Sequence, residues 1–187
     1  MSITLTLDTA VAALHSGGVI AYPTEAVWGL GCDPFDATAV RRLLAIKQRD
    51  ESKGLILIAA NLAQIASLID HDALPRARIA AVLANWPGPH TWLLPCTSLV
   101  PAWLRGDHPT LALRITAHRQ TAALCMAFGG PLVSTSANIA TAAPARTRAE
   151  LDPQLLTQLD GVLDGDTDGL NAPTTIRDAV SGLLLRA

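Results

Sequence analysis

The chain has 187 residues, half of them hydrophobic, 16% charged and 4% aromatic. That composition excludes a disordered chain and calls for one sizeable core built mainly from Ala, Leu, Val and Ile. The net charge of -2 gives no global signal for nucleic acid, although a local basic groove is compatible with it.

In chain order, Asp8 is an N-cap candidate for a short helix through Val11 and Leu14 that Gly17-Gly18 ends. Val19 to Tyr22 reads as a buried strand stopped by Pro23. A Gly-rich passage holding Gly29 and Gly31 follows. Asp36 caps a helix running to Ile46 or Lys47. Leu55 to Ala59 has the length of a strand, and Asn61 to Ile69 and Pro75 to Trp86 read as helices. Pro87-Gly88-Pro89 ends the latter. Thr91 to Leu94, Leu111 to Ile115 and Leu132 to Ser134 read as strands, with a helix from His118 to Phe128. Ala137 to Arg148, rich in Ala, Thr and Pro, reads as a loop, Glu150 to Leu159 as a helix and Gly161 to Asp164 as a strand. Thr174 to Arg177 and Leu183 to Arg186 are expected to pair with the sheet. Interleaved strands and helices imply an α/β layer fold. No repeat and no linker is visible, so a single domain over 1–187 is expected.

Cys32, Cys96 and Cys125 lack paired spacing, which argues against a disulfide framework or a Cys-rich zinc site. The five histidines show no metal-ligand spacing, so no protein-built metal site is expected. No basic segment precedes an apolar run at the N-terminus, and apolar runs fall far short of the ~20 residues of a membrane helix. A cytoplasmic protein, away from membranes, is expected.

Lysine occurs only at Lys47 and Lys53, within seven residues that also hold Arg49. Such a cluster suits an anion, or a solvated helix end. Val40, Leu43, Leu44 and Lys47 share one helix face, so Lys47 continues an apolar stripe and either snorkels or lines a cleft. The strand Leu132 to Ser134 runs into Thr135, Ser136 and Asn138, whose side chains can bond phosphate oxygens or cap their own turn. Thr24 and Glu25 follow another apolar strand; Thr24 binds a ligand or caps the turn, and Glu25 pairs with a cation or stays solvated. Thr91 starts a strand after a rigid turn. Arg114 ends an apolar run, Arg146 sits in the Ala137–Arg148 loop, and Thr174 opens a late strand. No dinucleotide fingerprint, Walker A sequence or Gly-x-Ser-x-Gly elbow is present.

Four segments in this order, YPTEAVWGLG from Tyr22, KQR with SKGL from Lys47, PGPHT from Pro87 and STSAN from Ser134, resemble the YrdC/TsaC-type threonylcarbamoyl-AMP synthases in their short form. The resemblance runs from about Ile20 to Arg177. It implies a twisted, mixed but mostly parallel sheet with flanking helices and a concave cleft. It also implies a nucleotidyltransferase that makes threonylcarbamoyl-AMP and diphosphate from L-threonine, bicarbonate or CO2, and ATP with Mg2+. The adenylate would pass to the proteins that complete t6A at position 37 of tRNA. By the same resemblance, Lys47 and Arg49 carry the chemistry. Thr24, Arg114, Ser134 and Thr174 surround threonine and its carbamate. Lys47, Arg49, Thr91, Ser136, Asn138 and Arg146 bind the nucleotide. Ala26 and Thr174 depart from the threonine and serine common at those places. The alternative reading is an RNA-binding module acting in tRNA or rRNA maturation.

Overall fold

The computed structural model describes residues 3–139, 142–171 and 174–186. Its strands are β1 (Thr4–Leu5), β2 (Ile20–Pro23), β3 (Trp28–Gly31), β4 (Ile56–Ala59), β5 (His90–Pro95), β6 (Thr110–Ile115), β7 (Leu132–Ser136), β8 (Gly161–Leu163), β9 (Thr175–Asp178) and β10 (Leu184–Arg186). Its helices are α1 (Leu7–His15), α2 (Ala37–Lys47), α3 (Arg76–Leu83), α4 (Ala102–Arg105), α5 (Arg119–Phe128) and α6 (Pro153–Leu156). The strands form one sheet in the order β1-β8-β2-β3-β7-β4-β6-β5-β9-β10.

The α/β class and the mixed sheet agree with the sequence, but the sheet is not mostly parallel. The pairs β1·β8, β8·β2, β4·β6 and β5·β9 are parallel. The pairs β2·β3, β3·β7, β4·β7, β5·β6 and β9·β10 are antiparallel. The reason lies partly in the Gly-rich passage, which forms β3 and folds back on β2 as a hairpin. β7 then runs against both of its neighbours. Interleaved elements suggest crossover connections, and a hairpin hidden among glycines breaks that inference.

Local chemistry explains the main helices. Asp36 caps α2 by accepting from Thr38 N at 2.8 Å and Ala39 N at 3.1 Å, and Gln48 ends it with φ 49°. The cap of α1 is Thr6 in a capping box with Thr9, two residues earlier than Asp8, because the Thr6 hydroxyl accepts from the Thr9 amide. Asn61 to Ile69 forms two short 3-10 turns instead of a helix, and Glu150 to Leu159 keeps only the brief α6. Among the described residues no helix is long and apolar enough to cross a membrane.

The two sheet faces differ. Leu55, Leu57, Leu111, Leu113, Val133, Trp92 and Leu94 join the larger core, with the buried stripe of α2. On the other face α1 and α5 pack together over one end, enclosing Ile20, Tyr22, Ile58, Leu124 and Leu132. Each such fully buried side chain contributes about 1.5–3 kcal/mol. Gly31 belongs to this closed end. A Cβ there would lie 2.3 Å from the Val133 carbonyl oxygen and 2.6 Å from the Tyr22 ring. Nothing larger fits beneath that ring. The other end of the same face is left open.

Candidate functional site

The open end is a cleft of about 470 Å³. Register builds its floor. Ile56 pairs with both Ala112 and Ser134, Leu93 pairs with Ala112, and Gly29 pairs with Ser136. Paired residues point to one side of a sheet, so these side chains form adjoining rows facing the opening. Along β7 the row changes from Leu132, covered by α5, to Ser134 and Ser136 in the cleft.

Among the described residues, Arg49, Lys53, Arg105, His108, Arg114 and Arg186 line the cleft, and no Asp or Glu does. In a chain of net charge -2, the basic groups have been concentrated here and the acids kept out. Thr24, Ser134, Ser136 and Thr174 add hydroxyls. This lining is made to receive a multiply charged anion.

The inner end is built around Arg114, which is 4% exposed. Its Nη1 donates to the Thr174 hydroxyl at 2.9 Å, and its Nη2 lies 3.6 Å from the Glu25 carboxylate. The Thr24 hydroxyl donates to the Val27 carbonyl at 2.7 Å, closing the turn between β2 and β3. Thr24 therefore both caps its turn and lines the cleft. Arg186 comes in from β10 and donates to the Thr174 carbonyl at 2.9 Å. Burial, then the positive fields of Arg114 and Arg49, pull the Arg186 guanidinium below its ordinary pKa. Three guanidiniums are thus brought close enough to feel one another.

A family model described as telomere recombination, covering Sua5, YciO and YrdC, matches residues 12–187. The chain belongs to the Sua5/YciO/YrdC family. It is 60% identical over 183 residues to a protein of Stenotrophomonas maltophilia named threonylcarbamoyl-AMP synthase, covering 98% of each. Its fold superposes on E. coli YciO with a TM-score of 0.85 at 25% identity, covering all of this chain and 95% of the other. It superposes on P. abyssi Sua5 in complex with L-threonine with a TM-score of 0.87 at 26% identity. That match covers 95% of this chain and 54% of the longer Sua5 chain.

In this Sua5/YciO/YrdC chain the structure brings most of the sequence-derived site residues together, though not all in the same way. Thr24, Arg49, Arg114, Ser134, Ser136 and Thr174 line the cleft. Lys47 does not. It is 6% exposed, and its Nζ donates to the Ser136 carbonyl at 2.6 Å, to Asn138 Oδ1 at 2.9 Å and to the Asn138 carbonyl. The stripe of α2 does bury this lysine, but the ammonium is spent on the turn after β7 and stands behind the cleft wall. Burial, then the neighbouring Arg49 charge, lower its pKa from 10.5 to about 8. Arg49, two residues on, faces the opening and donates to the Gly54 carbonyl at 3.0 Å.

Asn138 lies beside the cleft and completes the same turn. Its Oδ1 accepts from the Ser136 hydroxyl and its Nδ2 donates to the Ala142 carbonyl at 2.6 Å. Thr91 is fully buried on the inner strand β5 and does not reach the cleft. β9 pairs along β5 at this very position, opposite Ile176, and the strand is flanked on both sides. Arg146 is exposed and outside the lining. Its guanidinium donates to the Asn171 carbonyl, and its amide donates to Glu150 Oε2 at 2.7 Å. Of the Ala137–Arg148 loop, Ala140 and Thr141 lie outside the described residues; Pro144 lines the cleft and the Ala145 carbonyl accepts from Trp28 N at 2.8 Å.

Sequence reasoning missed Arg186, Arg105 and His108 as lining residues. Arg186 reads from sequence as the end of an edge strand, and only the pairing of β10 with β9 turns it toward Thr174. Arg105 and His108 arrive because Gly54 packs its backbone on α4. With φ 63°, Gly54 puts its Cα so close that a Cβ would be 2.8 Å from the Arg105 carbonyl oxygen. Leu55 N donates to the Leu104 carbonyl at 2.8 Å and Asp107 N to the Ser52 carbonyl at 3.1 Å, fixing this lip of the cleft.

Proposed function

We propose that this protein is a threonylcarbamoyl-AMP synthase, a nucleotidyltransferase that joins L-threonine, bicarbonate or CO2, and ATP and releases diphosphate. The observation that carries this reading is the cleft itself, with six basic side chains and no carboxylate in its lining among the described residues. The 60% identity to a protein of that name supports it. The product would feed t6A formation on tRNA through proteins that accept the adenylate.

The threonine amine takes up CO2, losing a proton to form a carbamate. A carbamate oxygen then attacks the α-phosphorus, the bond from that phosphorus to the β-phosphate's bridging oxygen breaks, and diphosphate leaves. Charge builds on phosphate oxygens, so positioning and neutralisation are what the chain must provide. Arg114, held against Thr174, would take the threonine carboxylate by paired N–H donors, with Thr24 and Ser134 beside the hydroxyl and carbamate. Arg49 and Arg186 would face the phosphates, and Ser136 would add a neutral donor. Lys47 would act from behind, holding the Ser136–Asn138 turn in shape. Asn138 and Arg146 would shape the nucleotide's border. Thr91 would support the floor beneath it.

Mg2+ fits as a passenger of the nucleotide. Among the described residues the cleft offers hydroxyl oxygens but no carboxylate ligand, so phosphate oxygens would hold the ion, which would neutralise charge on them. Incubation with ATP, L-threonine, bicarbonate and Mg2+, followed by mass spectrometry, is expected to yield threonylcarbamoyl-AMP and diphosphate in equal amounts. A folded protein that binds ATP yet makes no adenylate would overturn the reading.

A further inference from the structure

Glu25 has no place in the cleft, since it is 2% exposed and absent from the lining, yet it is bonded more fully than a capping residue needs. Its Oε1 accepts from the Thr116 hydroxyl at 2.7 Å and from Ala117 N at 3.2 Å. Its Oε2 has no hydrogen-bond partner among the described residues and faces Arg114 Nη2 at 3.6 Å. Arg114 in turn is the innermost cation of the cleft. The two form a buried pair in which, among the described residues, the arginine and not the glutamate lines the cleft.

The supports of Glu25 extend outward. The Thr116 hydroxyl accepts from His118 N at 3.1 Å, and His118 caps α5 through Nδ1, which accepts from Thr121 N at 3.2 Å. That leaves His118 Nε2 to donate to the Asp166 carbonyl at 3.0 Å. The Thr121 hydroxyl donates to the Pro23 carbonyl at 2.5 Å. Asp168 N and Leu170 N donate to the carbonyls of Thr24 and Glu25. The turn carrying Glu25 is therefore clamped from α5 on one side and from residues 166–170 on the other.

We infer that Glu25 is a positioning residue that fixes the Arg114 guanidinium and, with Thr174, leaves it one edge for a single carboxylate of the amino-acid substrate. This rests on the reading of the inner cleft as the threonine pocket. A guanidinium has five N–H donors in a rigid fork. Here Nη1 is given to Thr174, Nη2 is held toward Glu25 by charge at 3.6 Å without a hydrogen bond, and Nε has no partner among the described residues. Burial matters, because orientation by a charged partner is strong only where water does not compete.

The test compares Glu25→Gln with Thr116→Val, which keeps the Glu25 charge but removes the hydroxyl that orients it, and with Thr116→Ser, which restores it. L-threonine and ATP binding are measured separately by calorimetry, and KM and kcat by adenylate formation. Glu25→Gln is expected to weaken threonine binding and raise its KM by about 10- to 100-fold, the range of one charged hydrogen-bonding partner. ATP affinity should stay within about 2-fold on the same grounds. Thr116→Val should follow in the same direction with a smaller rise, and Thr116→Ser should return to normal. Equal losses for threonine and ATP, or an unchanged threonine affinity in folded Glu25→Gln, would overturn the inference. If wild type itself fails to bind threonine, it is the pocket assignment that falls, and the binding isotherms separate the two failures.

Discussion

The closed and open ends of one sheet face use the same strands to opposite purposes. Under α1 and α5, β7 presents Leu132 and β4 presents Ile58 to an aliphatic layer that also holds Tyr22. One pleat further along, β7 presents Ser134 and Ser136 to the cleft, and on β6 Arg114 faces it from a position level with Ile58; among the described residues no carboxylate lines it. Burial at the closed end pushes the Tyr22 phenol well above its ordinary pKa, and its hydroxyl donates to the Val133 carbonyl at 2.8 Å. The lesson is that stability and ligand chemistry are separated by a step of two residues along β7, and by a single strand-to-strand step between Ile58 and Arg114. A substitution on one side of that step should therefore be read in stability, and on the other in activity.

The largest effect should come from the open end. Arg49→Ala removes a cation facing the phosphates, and adenylate formation is expected to fall by two to three orders of magnitude, roughly the loss from deleting one donor to developing charge. The melting temperature should hardly move; a large drop in it would erase the proposed division. Next comes the closed end. Leu132→Ser extends the serine row of β7 under α5 and is expected to cost about 3 kcal/mol of unfolding free energy, from lost apolar burial and an ill-paired hydroxyl. Urea unfolding reads the cost, while KM for both substrates in the surviving folded fraction should be unchanged.

The smallest effect concerns Lys47, which belongs to neither end. Its pKa in the folded protein, about 8, lies below the ordinary 10.5, so between those values the unfolded chain binds more protons. Its contribution to folding therefore becomes more favourable as pH rises from about 8 to about 10.5. The thiols of Cys32, Cys96 and Cys125 are raised by burial and act in the opposite sense, but equally in a Lys47→Met variant. The stability of wild type relative to that variant should increase across this window. A pH-independent difference in melting temperature would show that the ammonium is not held as described.

Much of this arrangement was legible before the structure. The Val40, Leu43, Leu44, Lys47 spacing placed the lysine on the apolar stripe, to snorkel or to line a cleft, and the change from Leu132-Val133 to Ser134-Thr135-Ser136 offered a strand running into a ligand site or a self-capped turn. What was not legible depended on partners far along the chain. The direction of the Lys47 ammonium is set by carbonyls some 90 residues away, and a backbone carbonyl leaves no trace in residue identity. Thr91 lies on the face of β5 that carries the cleft-lining Leu93, but two residues further along it is fully buried. The passage around Gly29 and Gly31 is not read as a strand because glycine weakens strands. Its alternation with Trp28 and Leu30 was the missed signal, a strand with one bare face on which Tyr22 lies. Glu25 offered two readings, and only the fold of β6 against that turn selected the cation.

The contact of Gly54 with α4 has a consequence for size. Its lip of the cleft is joined main chain to main chain, with no side chain between to rotate aside. The gap between this lip and the sheet is then a fixed gauge. Trimming Lys53, Arg105 or His108 changes how strongly a guest is held there, whereas the width it must match is written in the backbone.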